Sequence, residues 1–248
     1  MIVRTVGSLH YLVAQAEHAR QSAVIAASLA EEWLGPHDDR VATVRAAREH
    51  DAGWAEWDAR PATRPDGLIL PFDQIDLEDH EAVWRRSIFG ALHRLGPAEA
   101  AIIARHSVAL WKGTADDETA RYELMLALGR RAWPGLDDAD LRQRIEQAFS
   151  VLYFGDAVSL IGLAGWEPRI PLELRSADGA RLHVEAWRDG DWTVRVHPWP
   201  FAMPALTNVF ADAIVIPAGE EASAVPRLGH RGGFLMRVPV SILPAESP

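Results

Sequence analysis

The chemistry open to this chain rests on histidine and carboxylate side chains, because its 248 residues include ten histidines and no cysteine. A thiolate nucleophile, a zinc–thiolate site and a disulfide scaffold are therefore excluded. Burying an ionisable group is costly unless it is paired or bound to a metal, so polar residues on apolar helix faces are the informative ones. His50 and Asp51 are the first such pair. Val41, Val44, Ala47 and Trp54 mark an apolar stripe, and Asp51 follows Val44 by two turns. His50 lies about 100° away around a helix, so both can lean into one cavity. Imidazole with carboxylate suits Fe, Mn, Zn, Co, Ni or Mg. Asp156 is the sharpest anomaly, standing in an almost wholly apolar run at residues 151–166. His18 shares a face with Ser22, Ile25 and Leu29; His106 stacks with Ile102, Ile103 and Leu110; His80 stacks with Val83, Trp84 and Ser87. His37-Asp38 follows Gly-Pro and reads as a helix cap. His93, His183, His197 and His230 read as structural or surface residues.

These residues need helices to carry them. Apolar residues at helical spacing run over 12–33, and Gly35-Pro36 stops that helix. Asp38 and Asp39 can cap a second helix reaching to about Trp57, before a Pro- and Gly-containing loop at 60–72. Further helices are expected at 79–94, 97–112, 117–132 and 138–163. Near residue 167 the period changes. Segments 172–175, 182–187 and 192–197 alternate apolar and polar residues. Asp178-Gly179 and Asp189-Gly190 lie between them and signal hairpins. Segments 213–216 and 234–240 are expected to be later strands. The expected class is α+β, mainly α: a helical bundle over 1–167, then an antiparallel β-meander over 168–248 packed on it as one unit.

Composition narrows the partners. With 48% hydrophobic and 24% charged residues the chain is globular in character. A net charge of −10 argues against sequence-independent nucleic-acid binding, which needs Lys and Arg to neutralise phosphates. The most apolar stretch is interrupted by Asp156 and is short for a membrane span. No leader is visible at the start. The expectation is a cytoplasmic protein whose partner is a small molecule rather than nucleic acid or membrane, with a homodimer allowed.

The order His18, His50-Asp51, Asp156 resembles the HD-domain metal-dependent phosphohydrolase superfamily. Its fold is an all-helical bundle whose metal is held by a His, an adjacent His-Asp pair and a late Asp. Binuclear members add two histidines in the interval where His80 and His106 stand. A closer resemblance, over nearly the whole chain, is to a bacterial family known only as domain of unknown function 3891 and thought to be HD-like. It is carried by Gln15-Ala-Glu-His18-Ala-Arg-Gln-Ser22-Ala-Val-Ile-Ala26 and Glu49-His50-Asp51-Ala-Gly-Trp54-Ala-Glu-Trp57-Asp58. His106, Gly155-Asp156-Ala-Val-Ser159-Leu160 and Asp191-Trp192-Thr-Val-Arg-Val-His-Pro198-Trp-Pro200-Phe201 complete it.

The resemblance implies an HD-like core with one or two divalent metal ions. His18, His50, Asp51 and Asp156 would hold one ion; His80 and His106 would complete a second, with Asp51 bridging. His50 and Asp51 are the candidate catalytic pair. Arg20, Arg48, Arg105, Trp57 and Asp58 lie close in sequence to these ligands and are candidates for binding substrate. The leading expectation is a hydrolase of a small phosphate ester or nucleotide. The alternatives are a di-iron oxygenase and a non-catalytic metal- or ligand-binding module.

Overall fold

The structure, a computed structural model, describes residues 1–65, 67–110, 139–218 and 234–245. The chain opens with a hairpin. Ile2–Val6 (β1) and Leu9–Val13 (β2) pair antiparallel around Gly7, whose φ of 60° suits the tight turn. Three further strands follow the helices: Ile170–Arg175 (β3), Arg181–Arg188 (β4) and Thr193–His197 (β5). Their Asp-Gly turns place glycine at φ of 89° and 97°, as the hairpin signal required. Leu206–Pro217 (β6) and Phe234–Pro244 (β7) are longer than expected.

All seven described strands join one sheet in the order β1-β2-β6-β7-β5-β4-β3. Neighbours run antiparallel except β5 and β7, which are parallel. This overturns the expected HD-like helical bundle followed by a small meander. The sheet is mixed, not a meander. Its first two strands come from the segment assigned to the bundle, so strands from both sides of residue 167 share one sheet. The physical reason lies in residues 9–13. Leu9-His10-Tyr11-Leu12-Val13 is an apolar run that merges with the pattern of the following helix, yet Leu12 and Val13 end a strand.

The helices are Gln15–Ala27 (α1), Glu31–Leu34 (α2), His37–Glu49 (α3), Ala55–Ala59 (α4), Leu77–Arg94 (α5), Pro97–Ala109 (α6) and Ala139–Ala164 (α7). The helix expected at 117–132 lies outside the described residues. The long helix expected over 12–33 is two, α1 and α2. Asp38 and Asp39 sit in the first turn of α3, where a helix N-terminus favours carboxylates.

α7 is the central element. Phe154, Leu152, Ile161 and Leu163 are fully buried along it. One side meets the sheet, so closely that a Cβ on Gly162 would lie 2.7 Å from Val240 Cγ1. The other side meets α1, α3 and α6. Arg4 on β1 is buried, and its guanidinium donates to the Gly162 carbonyl in the last turn of α7 while stacking 4.1 Å over Trp192. It thereby satisfies a carbonyl left over at a helix C-terminus. α7 is the one described helix long and apolar enough to cross a membrane, and 83% of its most apolar window is buried inside the protein. Its apolarity serves the core.

Candidate metal centre

Four helices that pack on one another, α1, α3, α6 and α7, deliver the polar residues found on apolar faces. His18 comes from α1, His106 from α6 and Asp156 from the middle of α7; all three are buried. His50 and Asp51 arrive differently. α3 stops at Glu49; His50 is still helical at φ −59° and ψ −31°, but Asp51 turns to φ −104° and ψ 14°. On an unbroken helix the two side chains would diverge by about 100°. The bend at Asp51 brings them together, with His50 Nε2 3.4 Å from Asp51 Oδ2. The bend leads into a single turn at Ala52–Trp54 that lies against α5. Gly53 makes this possible, because a Cβ there would stand 2.1 Å from the Val83 carbonyl oxygen.

The five residues form two overlapping triads joined at His50. His18 Nε2 lies 2.7 Å from Asp156 Oδ1 and 3.9 Å from Asp51 Oδ2. His50 Nε2 lies 3.4 Å from Asp156 Oδ1, and His106 Nε2 lies 3.6 Å from Asp156 Oδ2. Ligand atoms of His18, His50 and Asp51 all fall within 4.8 Å of one another, as do those of His50, His106 and Asp156. The rings meet edge to face, His18 on His50 at 5.5 Å and His50 on His106 at 5.1 Å between centroids.

Hydrogen bonding orients the set. His50 Nδ1 donates to the Ala47 carbonyl at 2.7 Å, so Nε2 is the ring nitrogen that faces the centre and the one that would ligate there. That Nε2 has no hydrogen-bond partner, and neither ring nitrogen of His106 has one. Such orphaned buried nitrogens require a reason. Two carboxylates would balance the charge of a divalent cation, and three imidazoles, once their Nε2 hydrogens give way to it, are suitable donors, so the residues present fit one.

The electrostatics of the protein's own groups follow from packing them together. Burial opposes protonation of His50, but Asp51 and then Asp156 outweigh it and push its pKa up to about 9. His106 is governed by burial, which lowers it to about 3. Burial raises Asp51, with His50 and His18 offsetting part of that. Asp156 goes the other way: burial would raise it, but the imidazoles of His18 and His50 hold it well below the usual carboxylate range.

The other expected residues stand elsewhere. His80, on α5, lies edge-on to Trp54 at 5.4 Å and beside Trp84 at 5.3 Å, and belongs to neither ligand group. Arg20 bonds Glu17 and reaches the Phe210 carbonyl on β6. Arg48 is exposed. Arg105 forks onto Glu146 at 2.6 and 3.2 Å and covers Phe149. Trp57 packs edge-on to Trp54 beside Ile75. Asp58 pairs with the Met1 amino group at 2.7 Å and accepts from the Gln15 backbone N–H at 2.6 Å.

The structure adds residues to which the sequence reading assigned no role. Tyr153, one turn before Asp156, is half-buried with its ring 6.1 Å from that of His106. Burial raises its phenol pKa, and Asp156 adds to that. Ser159 and Gln21 are buried behind His18. Their signal was spacing: each lies three residues after a ligand, Asp156 or His18, and so on the same helix face.

Residues 1–216 match the model of a family described as Protein of unknown function (DUF3891). No curated protein and no solved structure matches the chain.

Proposed function

We propose a function from the site itself, because the chain belongs to the DUF3891 family, whose description names no activity. The proposal is a metal-dependent hydrolase acting on a small phosphate ester or nucleotide. One divalent ion would be held by Nε2 of His18, His50 and His106 with the carboxylates of Asp51 and Asp156. The observation that carries this reading is two overlapping triads of buried ligand atoms that share His50, with His50 Nε2 and His106 Nε2 lacking any other partner. His80 stands outside the groups, which favours one ion over two. When bound, such an ion supplies polarisation of a phosphoryl oxygen and a lowered pKa for water.

The chain's own residues divide the remaining work. Asp51 is the most exposed of the five, at 9%, so it marks the side from which a substrate approaches. Its carboxylate can accept a proton from a water at that side. His18 and His50, tied down through Nδ1, fix the geometry. Tyr153, half-buried beside His106, offers a hydroxyl to a leaving group. Neither Arg20 nor Arg105 is free to hold a phosphate, as both are bonded to carboxylates.

The test begins with metal content. One divalent ion per purified chain is expected by plasma mass spectrometry, together with phosphate release from a panel of phosphomonoesters and phosphodiesters. Chelation should abolish that release and metal should restore it. Full metal occupancy retained in both Asp51→Ala and Asp156→Ala sinks the site. Two iron atoms per chain with oxygen uptake and no phosphate release replaces the hydrolase by an oxygenase.

A further inference from the structure

His18 is the ligand whose far side is most fully built. Its Nδ1 lies 2.9 Å from Ser159 Oγ, and Ser159 Oγ lies 2.7 Å from Gln21 Oε1. His18 is 1% exposed, and Ser159 and Gln21 are wholly buried, so these atoms are sealed from bulk solvent. Proton accounting then fixes the direction. A carboxamide oxygen carries no hydrogen, so it can only accept, and the single Ser159 hydroxyl proton goes to Gln21. Ser159 Oγ is left to accept at His18, which places the hydrogen on Nδ1. His18 Nε2 is thereby turned toward Asp51 and Asp156; it donates to Asp156 Oδ1 at 2.7 Å, and a bound cation would take the place of that hydrogen.

We propose that Ser159 and Gln21 form a two-residue relay that holds the His18 ring in its Nδ1–H form and makes both of them positioning residues for the centre. This rests on the metal-binding reading above. The relay spans the same two helices that carry the ligands it serves. Gln21 follows His18 on α1, and Ser159 follows Asp156 on α7. The two helices are thus tied by two parallel links, His18 to Asp156 at the centre and Gln21 to Ser159 one turn behind it. Removing the outer link frees the ring to rotate, or to carry its hydrogen on Nε2, where it excludes a cation. Hydrogen bonds behind a ligating histidine do this work in metal sites generally, and their loss weakens metal affinity by about 10–100-fold.

The experiment uses the full chain with Zn2+ as the probe. Zinc affinity is measured by competition with a chromophoric chelator for the parent, Ser159→Ala, Gln21→Leu and Gln21→Glu. Melting of each metal-free variant is recorded alongside. Ser159→Ala is expected to bind zinc about 10–100-fold more weakly. Gln21→Leu, which lets the serine proton turn to His18, should weaken binding in the same sense and serves if Ser159→Ala fails to fold. Gln21→Glu keeps an acceptor and should bind within a few-fold of the parent. Histidine-labelled nitrogen spectra of the zinc form should show hydrogen on His18 Nδ1 in the parent. A purely structural role would lower melting temperature and leave that signature and the affinity ranking alone. A parent that binds zinc while all variants bind equally overturns the relay alone. So does a Gln21→Glu protein as weak as Ser159→Ala, because the amide would then be donating. A parent that takes up no zinc overturns the metal reading and the relay with it.

Discussion

Replacing Gly155 with alanine puts a methyl group 2.6 Å from the Ser22 carbonyl oxygen, at the point where α7 crosses α1. Ordinary contact begins near 3.4 Å, so the two helices must part by about 0.8 Å. The obstacle is backbone and cannot rotate away. Overpacking of this kind costs about 1–3 kcal/mol. For a chain of this size, about 2 kcal/mol lowers Tm by roughly 4–8 °C. The same displacement acts on the centre, because His18 and Asp156 sit on those two helices only 2.7 Å apart. Metal geometry tolerates about 0.2 Å, so affinity should fall by at least about tenfold. The control is Gly162→Ala, two turns along α7. Its Cβ would meet the Val240 side chain at 2.7 Å, which strains the packing on the sheet and leaves the α1 crossing intact. Thermal melting and zinc titration of both variants give the answer. Gly155→Ala should lose stability and affinity, and Gly162→Ala should lose stability alone. Equal zinc affinity in Gly155→Ala and the parent refutes the idea that this crossing sets the ligand spacing.

Other outcomes follow from the same geometry. His106→Ala should weaken metal binding less than His18→Ala, because neither His106 ring nitrogen is tied to the protein; added imidazole should restore binding in a titration, and no rescue counts against His106 as a ligand. Gly53→Ala places a Cβ 2.1 Å from the Val83 carbonyl, and the variant should lose about 3 kcal/mol or more, read as a fall in denaturation midpoint. Metal at 100 times its Kd should raise stability by about 2.7 kcal/mol over the chelated protein, and no change in the melting curve would remove the centre from the native state.

The polar anomalies were legible in the sequence, and the path that joins them was not. Asp156 stood out because nothing else in the apolar run at 151–166 is charged, and the same reasoning reached His18, His50, Asp51 and His106. What periodicity could not show was the break after Glu49, which aims His50 and Asp51 at one point instead of along a helix. His80 has the same spacing signal as His106, yet its helix turns it toward Trp54 and Trp84. Nearness in sequence failed for the arginines, whose long side chains go to whichever carboxylate folding brings close; Arg105 meets Glu146, 41 residues away. The β1–β2 hairpin was hidden for a different reason. Five-residue strands give too few repeats to separate a period of two from one of 3.6. The two Asp-Gly hairpins carried local turn chemistry and were read from sequence alone.

The position of β2 in the sheet has a consequence in time. Val13 pairs with Ala213, so a strand made at the start of synthesis waits about 200 residues for its neighbour. Contacts of such separation slow folding, because the loop must close before the pairing rewards it. On the ribosome, β1 and β2 emerge as a hairpin with no third strand, a ribbon of marginal stability in water. α1, joined to β2 by Ala14 alone, packs on α3 and α7 before β6 is made and on β6 only afterwards. His18 rides on that helix. The segment that carries this histidine is therefore tethered to a strand whose own place in the sheet is settled only near the end of synthesis.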